Sequence, residues 1–257
     1  MQEKCLIYDG TFDGFLSAVF YTFEHKLELV NIQNEFAPQN ELFSENEHIL
    51  TEEDKANRVW SGLKTKLTSQ GSYQMYYAFL SEKDGVENVL LDYVRYAFSK
   101  NTKVDKDYSH PSVLKIAQIA KMVGREKHRM EAFVRFRLTK DHIYFANIEP
   151  DFNVLPLIQK HFKRRYADQK WMIYDIRRRY GLFYDLDKVD IINMDFPKQF
   201  DFTKTNSDYF AEQEFDFQKL WQDYFKATNI KSRKNMKLHV RHVPKRYWKY
   251  LSEKQST

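Results

Sequence analysis

The chain has 257 residues, of which 42% are apolar and 16% aromatic, too hydrophobic a composition for a disordered polypeptide. Seven glycines and six prolines argue against a fibrous or loop-rich architecture, and a single cysteine excludes an internal disulfide framework and any all-cysteine zinc or iron–sulfur site. The net charge is modest, +5, so the partners it implies depend on where the charges fall.

CLIYDG (5–10) reads as a short buried strand closing in a turn at Asp9–Gly10, with Cys5 a buried core thiol. Thr11 or Asp13 caps the helix FLSAVFYTFEH. Residues 31–52 are polar and acidic without periodicity, and predict an extended connection over the surface. EEDKANRVWSGLKTKL is an amphipathic helix, acidic at its start and basic at its end, with Val59, Leu63 and Leu67 on one face. YQMYYAFLS, VENVLLDYVRYAF and PSVLKIAQIAKMV add further helices, which makes 10–123 a mainly helical part.

The period then changes. AFVRFRL alternates as a half-buried strand does, TKDH reads as a turn and HIYFANI as a second strand. Asn153 is placed to cap the helix VLPLIQKHFKRRY. WMIYD and YGLFYD form another strand pair, with VDIIN at an edge. The expected fold class is α+β: an antiparallel sheet with a β-β-α-β-β core in a sheet-containing part, 124–194, surrounded by helices. Residues 195–213 read as a linker, and 214–251 as a basic helical tail that starts with the amphipathic FDFQKLWQDYFKA. The whole, 1–257, is expected to be a single family domain. No basic, apolar leader opens the chain and no run approaches the roughly 18 apolar residues of a membrane span, so the expected location is the cytoplasm.

Charge is segregated along this order. Residues 1–60 sum to −8, whereas 121–180 hold fifteen Lys/Arg against seven carboxylates, a net +8. Residues 231–249 hold eight basic side chains and no carboxylate. Guanidinium forks bind phosphates and aromatic faces stack on bases, so these basic and aromatic stretches suit a nucleic-acid surface. The candidate contacts are Arg129, Phe133, Arg135, Arg137, Arg164, Arg165, Arg177 and Arg178 in the middle, and Arg233, Lys237, Arg241, Lys245 and Arg246 in the tail.

Candidate catalytic groups are His128, His161, Asp175 and Glu126. Two of these have a plainer structural alternative, since Glu126 can pair with Arg129 and Asp175 can neutralise Arg177 or Arg178; for Arg164 and Arg165 the plainer reading is that cations favour a helix C-terminus. No HxxxH or HxH spacing lies near a carboxylate, and the pair His239/His242 has basic neighbours, so neither a metal nor another cofactor is predicted. GxGxxG, GxxxxGK[ST] and GxSxG are all absent, which argues against nucleotide hydrolysis and an esterase elbow.

YDGTFDGFLSAVF, RVWSGLKTKL, AFLSE, REKHRMEAFVRFR, NVLPLIQKHFKRRYADQKWMIYDIRRRYGLFYD and LWQDYFKATNIKSRKNMKLHVRHVPKRYWKYL together resemble a bacterial family of DNA metabolism or DNA repair proteins built on a domain of unknown function. The resemblance implies a companion, a DNA-modifying radical-SAM protein, and in some members fusion to a uracil-DNA-glycosylase-like domain. It supplies no catalytic residue. The leading expectation is therefore a DNA-binding accessory of that radical-SAM partner. The alternatives are a stand-alone nucleic-acid enzyme of glycosylase or nuclease type using His128, His161 and Asp175, or an interaction protein whose acidic first 60 residues meet a basic partner.

Overall fold

The computed structural model describes residues 4–36, 45–228 and 236–254. The chain divides into two compact units, Met1–Gly124 and Arg125–Thr257. Among the described residues no helix is long and apolar enough to cross a membrane.

The first unit opens with β1 (Lys4–Tyr8) and α1 (Phe12–Glu24). Gly10, at φ +80°, makes the turn between them, and the Thr11 hydroxyl caps α1 by accepting from the Gly14 N–H. β2 (Val30–Asn34) and β3 (Glu45–His48) pair in parallel on either side of β1, in the order β2-β1-β3. The expected surface connection at 31–52 thus holds two strands. Only Ile32 of VNIQN is buried, so these edge strands carry no alternating signal and depend on backbone pairing to the apolar β1. Four helices follow: α2 (Glu53–Lys66), α3 (Ser69–Phe79), α4 (Val86–Ser99) and α5 (Pro111–Phe133), the last carrying the chain into the second unit. Phe15, Leu16, Val19, Leu63, Met75, Leu90 and Val94 are fully buried, as their helical spacing requires.

In the second unit α5 runs on to Phe133, so Glu126, His128, Arg129 and Phe133 lie on a helix. Of the expected strand AFVRFRL only Arg137–Leu138 (β4) pairs. Six alternating residues are too few to exclude a helix end followed by a short irregular crossing. Then come β5 (Tyr144–Ile148), α6 (Leu155–Arg165), β6 (Trp171–Asp175), β7 (Tyr180–Tyr184) and β8 (Val189–Ile192), with sheet order β4-β5-β6-β7-β8. The order of elements along the chain, β-β-α-β-β, is the expected one and VDII is an edge strand, but the sheet is mixed rather than antiparallel. β5 and β6 are parallel because the α6 crossover returns the chain to the same end of the sheet. Asn153 does not cap α6; its Oδ1 accepts from the Tyr180 hydroxyl, and Val154 stands at the N-cap without a side-chain bond.

α6 buries Ile158 and Phe162 on one face of the sheet, where Phe162 meets Trp171 at 6.2 Å. On the other face the expected linker is a second core. Phe196, Phe200, Phe202 and the buried Phe210 pack on Phe145 and Tyr174. Four phenylalanines in a polar loop bury enough apolar surface to hold it without regular structure. Gly181 in β7 allows close backbone approach, since a Cβ there would lie 2.9 Å from the Ile173 carbonyl. The tail consists of α7 (Glu212–Thr228), α8 (Met236–His242) and 3-10 turns at Lys245–Tyr250 and Ser252–Lys254.

Candidate nucleic-acid interface

β4 pairs with β5 no further than Arg137↔Phe145, so among the described residues Asn147, two residues along β5, has no strand outside it. At that edge lies a groove of about 970 Å³. Its walls come from 134–137, the end of α6, the loop at 202–205 and one face of α7, and all its lining residues belong to the second unit.

Arg137 forms part of the floor. Its Nη1 donates to the Lys204 carbonyl at 2.8 Å, and its Nη2 to Asn147 Oδ1 at 2.6 Å and the Phe202 carbonyl at 3.3 Å. The guanidinium lies 4.5 Å from the centre of the Phe210 ring. Burial lowers its pKa to about 10, against the opposing pull of Glu214 and Asp201, so it stays charged at neutral pH. Glu214 is buried and accepts from the Leu138 N–H and from Gln218. Asn147 is 7% exposed; Arg137 occupies its oxygen, while its Nδ2 has no partner among the described residues.

Aromatic faces surround this floor. Phe136 packs against Phe162 and Tyr166, and the exposed Arg165 lies over the Tyr166 ring at 5.8 Å. On α7, Trp221 and Tyr224 stack at 5.8 Å, and Phe217, Leu220 and Tyr224 are 58%, 66% and 61% exposed. Large apolar side chains grouped in this way on one exposed face are a feature of interaction surfaces. Cationic and aromatic groups thus converge in one groove, the combination that holds single-stranded nucleic acid.

Other candidate residues are committed within the fold. Glu126 is 1% exposed and accepts from the Asp151 N–H at 3.0 Å, from Arg246 Nη2 at 3.0 Å and from the Tyr247 hydroxyl, with Arg129 at 3.5 Å. Arg246 also reaches Asp151 at 2.7 Å. Asp175 is fully buried; burial raises its pKa, while Arg178 at 2.9 Å and the N–H groups of Arg177 and Arg178 oppose that rise. Arg177 and Arg178 donate further to the carbonyls of Asp151 and Pro150. Arg135 pairs with Glu253 at 2.8 Å beneath Trp221, and Phe133 packs on Tyr247. His128 is exposed on α5, and His161 lies 3.9 Å from Glu131. His128, His161 and Asp175 share no partner among the described contacts. Arg164, Lys237, Arg241 and Lys245 are exposed, and Arg233 lies outside the described residues.

Carboxylates hold the last turns to this unit: Glu126 binds Arg246 and Tyr247, Glu149 binds Lys249 and Tyr250, and Arg135 binds Glu253. Burial pushes the Glu149 and Glu253 carboxyls up, but Lys249 and Tyr250 in the first case and Arg135 in the second outweigh it and hold both below the usual range. Carboxyls with depressed folded values stabilise above the unfolded value of about 4.3, and that stability is lost as pH falls through the folded values. The turns over 245–254 are therefore expected to loosen below about pH 4. Trp221 and Trp248 emission followed by acid titration checks this, and unchanged emission down to pH 3 would contradict it.

The sequence reading missed Asn147, Tyr144, Tyr166 and the α7 aromatics as groove residues. The α7 signal was legible: Phe217, Trp221 and Tyr224 recur at helical spacing beside Phe215 and Leu220, too many large groups for one buried stripe. The Asn147 signal was not, because its place beside Arg137 depends on strand pairing.

The model of a family described as "Domain of unknown function (DUF4130)" matches residues 84–253. No curated protein matches the chain. Among solved structures the chain is similar to a pGpG-specific phosphodiesterase, PggH, from Vibrio cholerae, at 10% identity and a TM-score of 0.29, over 71% of this chain and 81% of that one. At that TM-score the likeness carries no argument.

Proposed function

This chain belongs to the DUF4130 family, a domain of unknown function, and from that premise we propose that its second unit binds unpaired or single-stranded DNA in the groove beside β4. In this reading it is the DNA-binding accessory of a radical-SAM DNA-modifying partner in DNA repair or metabolism, and a uracil-DNA-glycosylase-like protein is a second class of partner. The family resemblance of the sequence supplies those partners. One observation carries the DNA reading: Arg165 and the exposed faces of Phe217, Trp221 and Tyr224 line the same groove. Arg164, Lys237, Arg241 and Lys245 are exposed in the same unit and are further candidates for phosphate contacts.

An accessory role is favoured over a stand-alone glycosylase or nuclease because Asp175 is buried beneath Arg178 and shares no contact with either histidine. Charge reversal at Arg135 or Arg137 is a poor probe, since both support the fold. The suitable test is the salt dependence of single-strand binding by the whole protein. Two or more phosphate contacts give a log–log slope of about −1.4 or steeper. A flat dependence, or tighter binding to intact duplex than to single strand, would overturn the reading.

A further inference from the structure

Two surfaces of different chemistry meet at the end of α6. Between residues 154 and 170 five cations, Lys160, Lys163, Arg164, Arg165 and Lys170, stand against one carboxylate, Asp168, and all six are exposed. Lys160 and Arg164 lie one turn apart on α6, and neither side chain has a hydrogen bond or ion pair among the described residues. Lys163 donates to the Asp187 carbonyl and forms no ion pair among the described residues. α5 runs alongside, with His161 3.9 Å from Glu131, but that carboxylate is already paired with Lys127 at 2.6 Å. The helix dipole favours cations in the last turn, Lys163 to Arg165; it gives no reason for Lys160 at mid-helix.

This outer face differs from the groove in one respect that decides what it can hold. Between residues 115 and 185 no large apolar side chain is exposed, so α6 offers charges and no stacking surface. The groove, which begins at the next residue, Arg165, is lined by Tyr166 and by the exposed Phe217 and Tyr224. Unpaired bases need faces to stack on, whereas a duplex hides its bases and presents phosphates to a helix that lies outside its grooves. We propose that Lys160 and Arg164 hold the phosphates of a duplex that adjoins the unpaired strand in the groove, which makes the substrate a single-strand/duplex junction. The inference rests on the DNA reading above and adds to it the form of the DNA.

The test uses the full chain, a short single strand, and the same strand carried as the overhang of a duplex. Two further phosphate contacts on a duplex steepen the log–log salt slope by about 1.8. Wild type is expected to bind the overhang duplex about tenfold more tightly than the bare strand at moderate salt, with that steeper slope. The double variant Lys160→Glu, Arg164→Glu changes two exposed side chains, so the fold should persist. In it the preference and the extra slope should disappear, while bare-strand affinity stays within about twofold of wild type. Equal affinity of wild type for both DNAs overturns the junction inference, and so does a preference that survives in the folded variant. An equal loss on both DNAs overturns it as well, because α6 would then serve the unpaired strand. In each of these cases bare-strand binding by wild type leaves the DNA reading standing, whereas failure of wild type to bind either DNA overturns both.

Discussion

Glu126→Ala is expected to destabilise the second unit by about 3 kcal/mol and to lower its melting temperature by roughly 10 °C. The carboxylate is 2% exposed at its side chain, and Asp151 N–H, Arg246 and Tyr247 all donate to it. Deleting it removes the acceptor of the Asp151 N–H and the Tyr247 hydroxyl and one of the two carboxylates that pair with Arg246. Breaking a fully buried ion pair costs about 3–5 kcal/mol, but Arg246 is 41% exposed and retains Asp151, so the lower end applies. Glu126→Gln keeps the acceptor oxygen without the charge and should cost about half as much. Calorimetry of the three proteins checks the order. A change below about 0.5 kcal/mol for the alanine variant would show that Glu126 is not structural and would restore it as a candidate for chemistry.

This reallocation of charge explains what could and could not be read from the sequence. The abundance of arginine in 121–180 was plain, yet its use was not. Asp175 does meet Arg178, three residues on, as its spacing suggested, but Arg135 and Arg246 meet Glu253 and Glu126, each more than a hundred residues away. Pairing at that separation leaves no local trace. Where structure is local the reading succeeded: Thr11 caps α1, and WMIYD and YGLFY pair as adjacent antiparallel strands. Where it depends on distant partners it failed. VNIQN and ENEH are strands because β1 lies between them, and the polar loop 195–213 holds its shape because Phe145 and Tyr174 receive its phenylalanines. The groove falls in the same class. Its parts are a two-residue strand, a loop and one face of a helix, drawn from stretches read separately as strand, linker and tail.

The central claim is that DNA occupies this groove, and the most direct measurement is the affinity of a short single strand for the double variant Arg165→Glu, Tyr224→Ala. Both side chains are exposed, so the fold should change by less than about 0.5 kcal/mol. The first substitution reverses a charge at the rim, and the second removes a stacking face worth roughly 1–3 kcal/mol per base. Together they should weaken binding by about a hundredfold while melting stays near wild type. Wild-type affinity, within about twofold, in a folded double variant would contradict the claim.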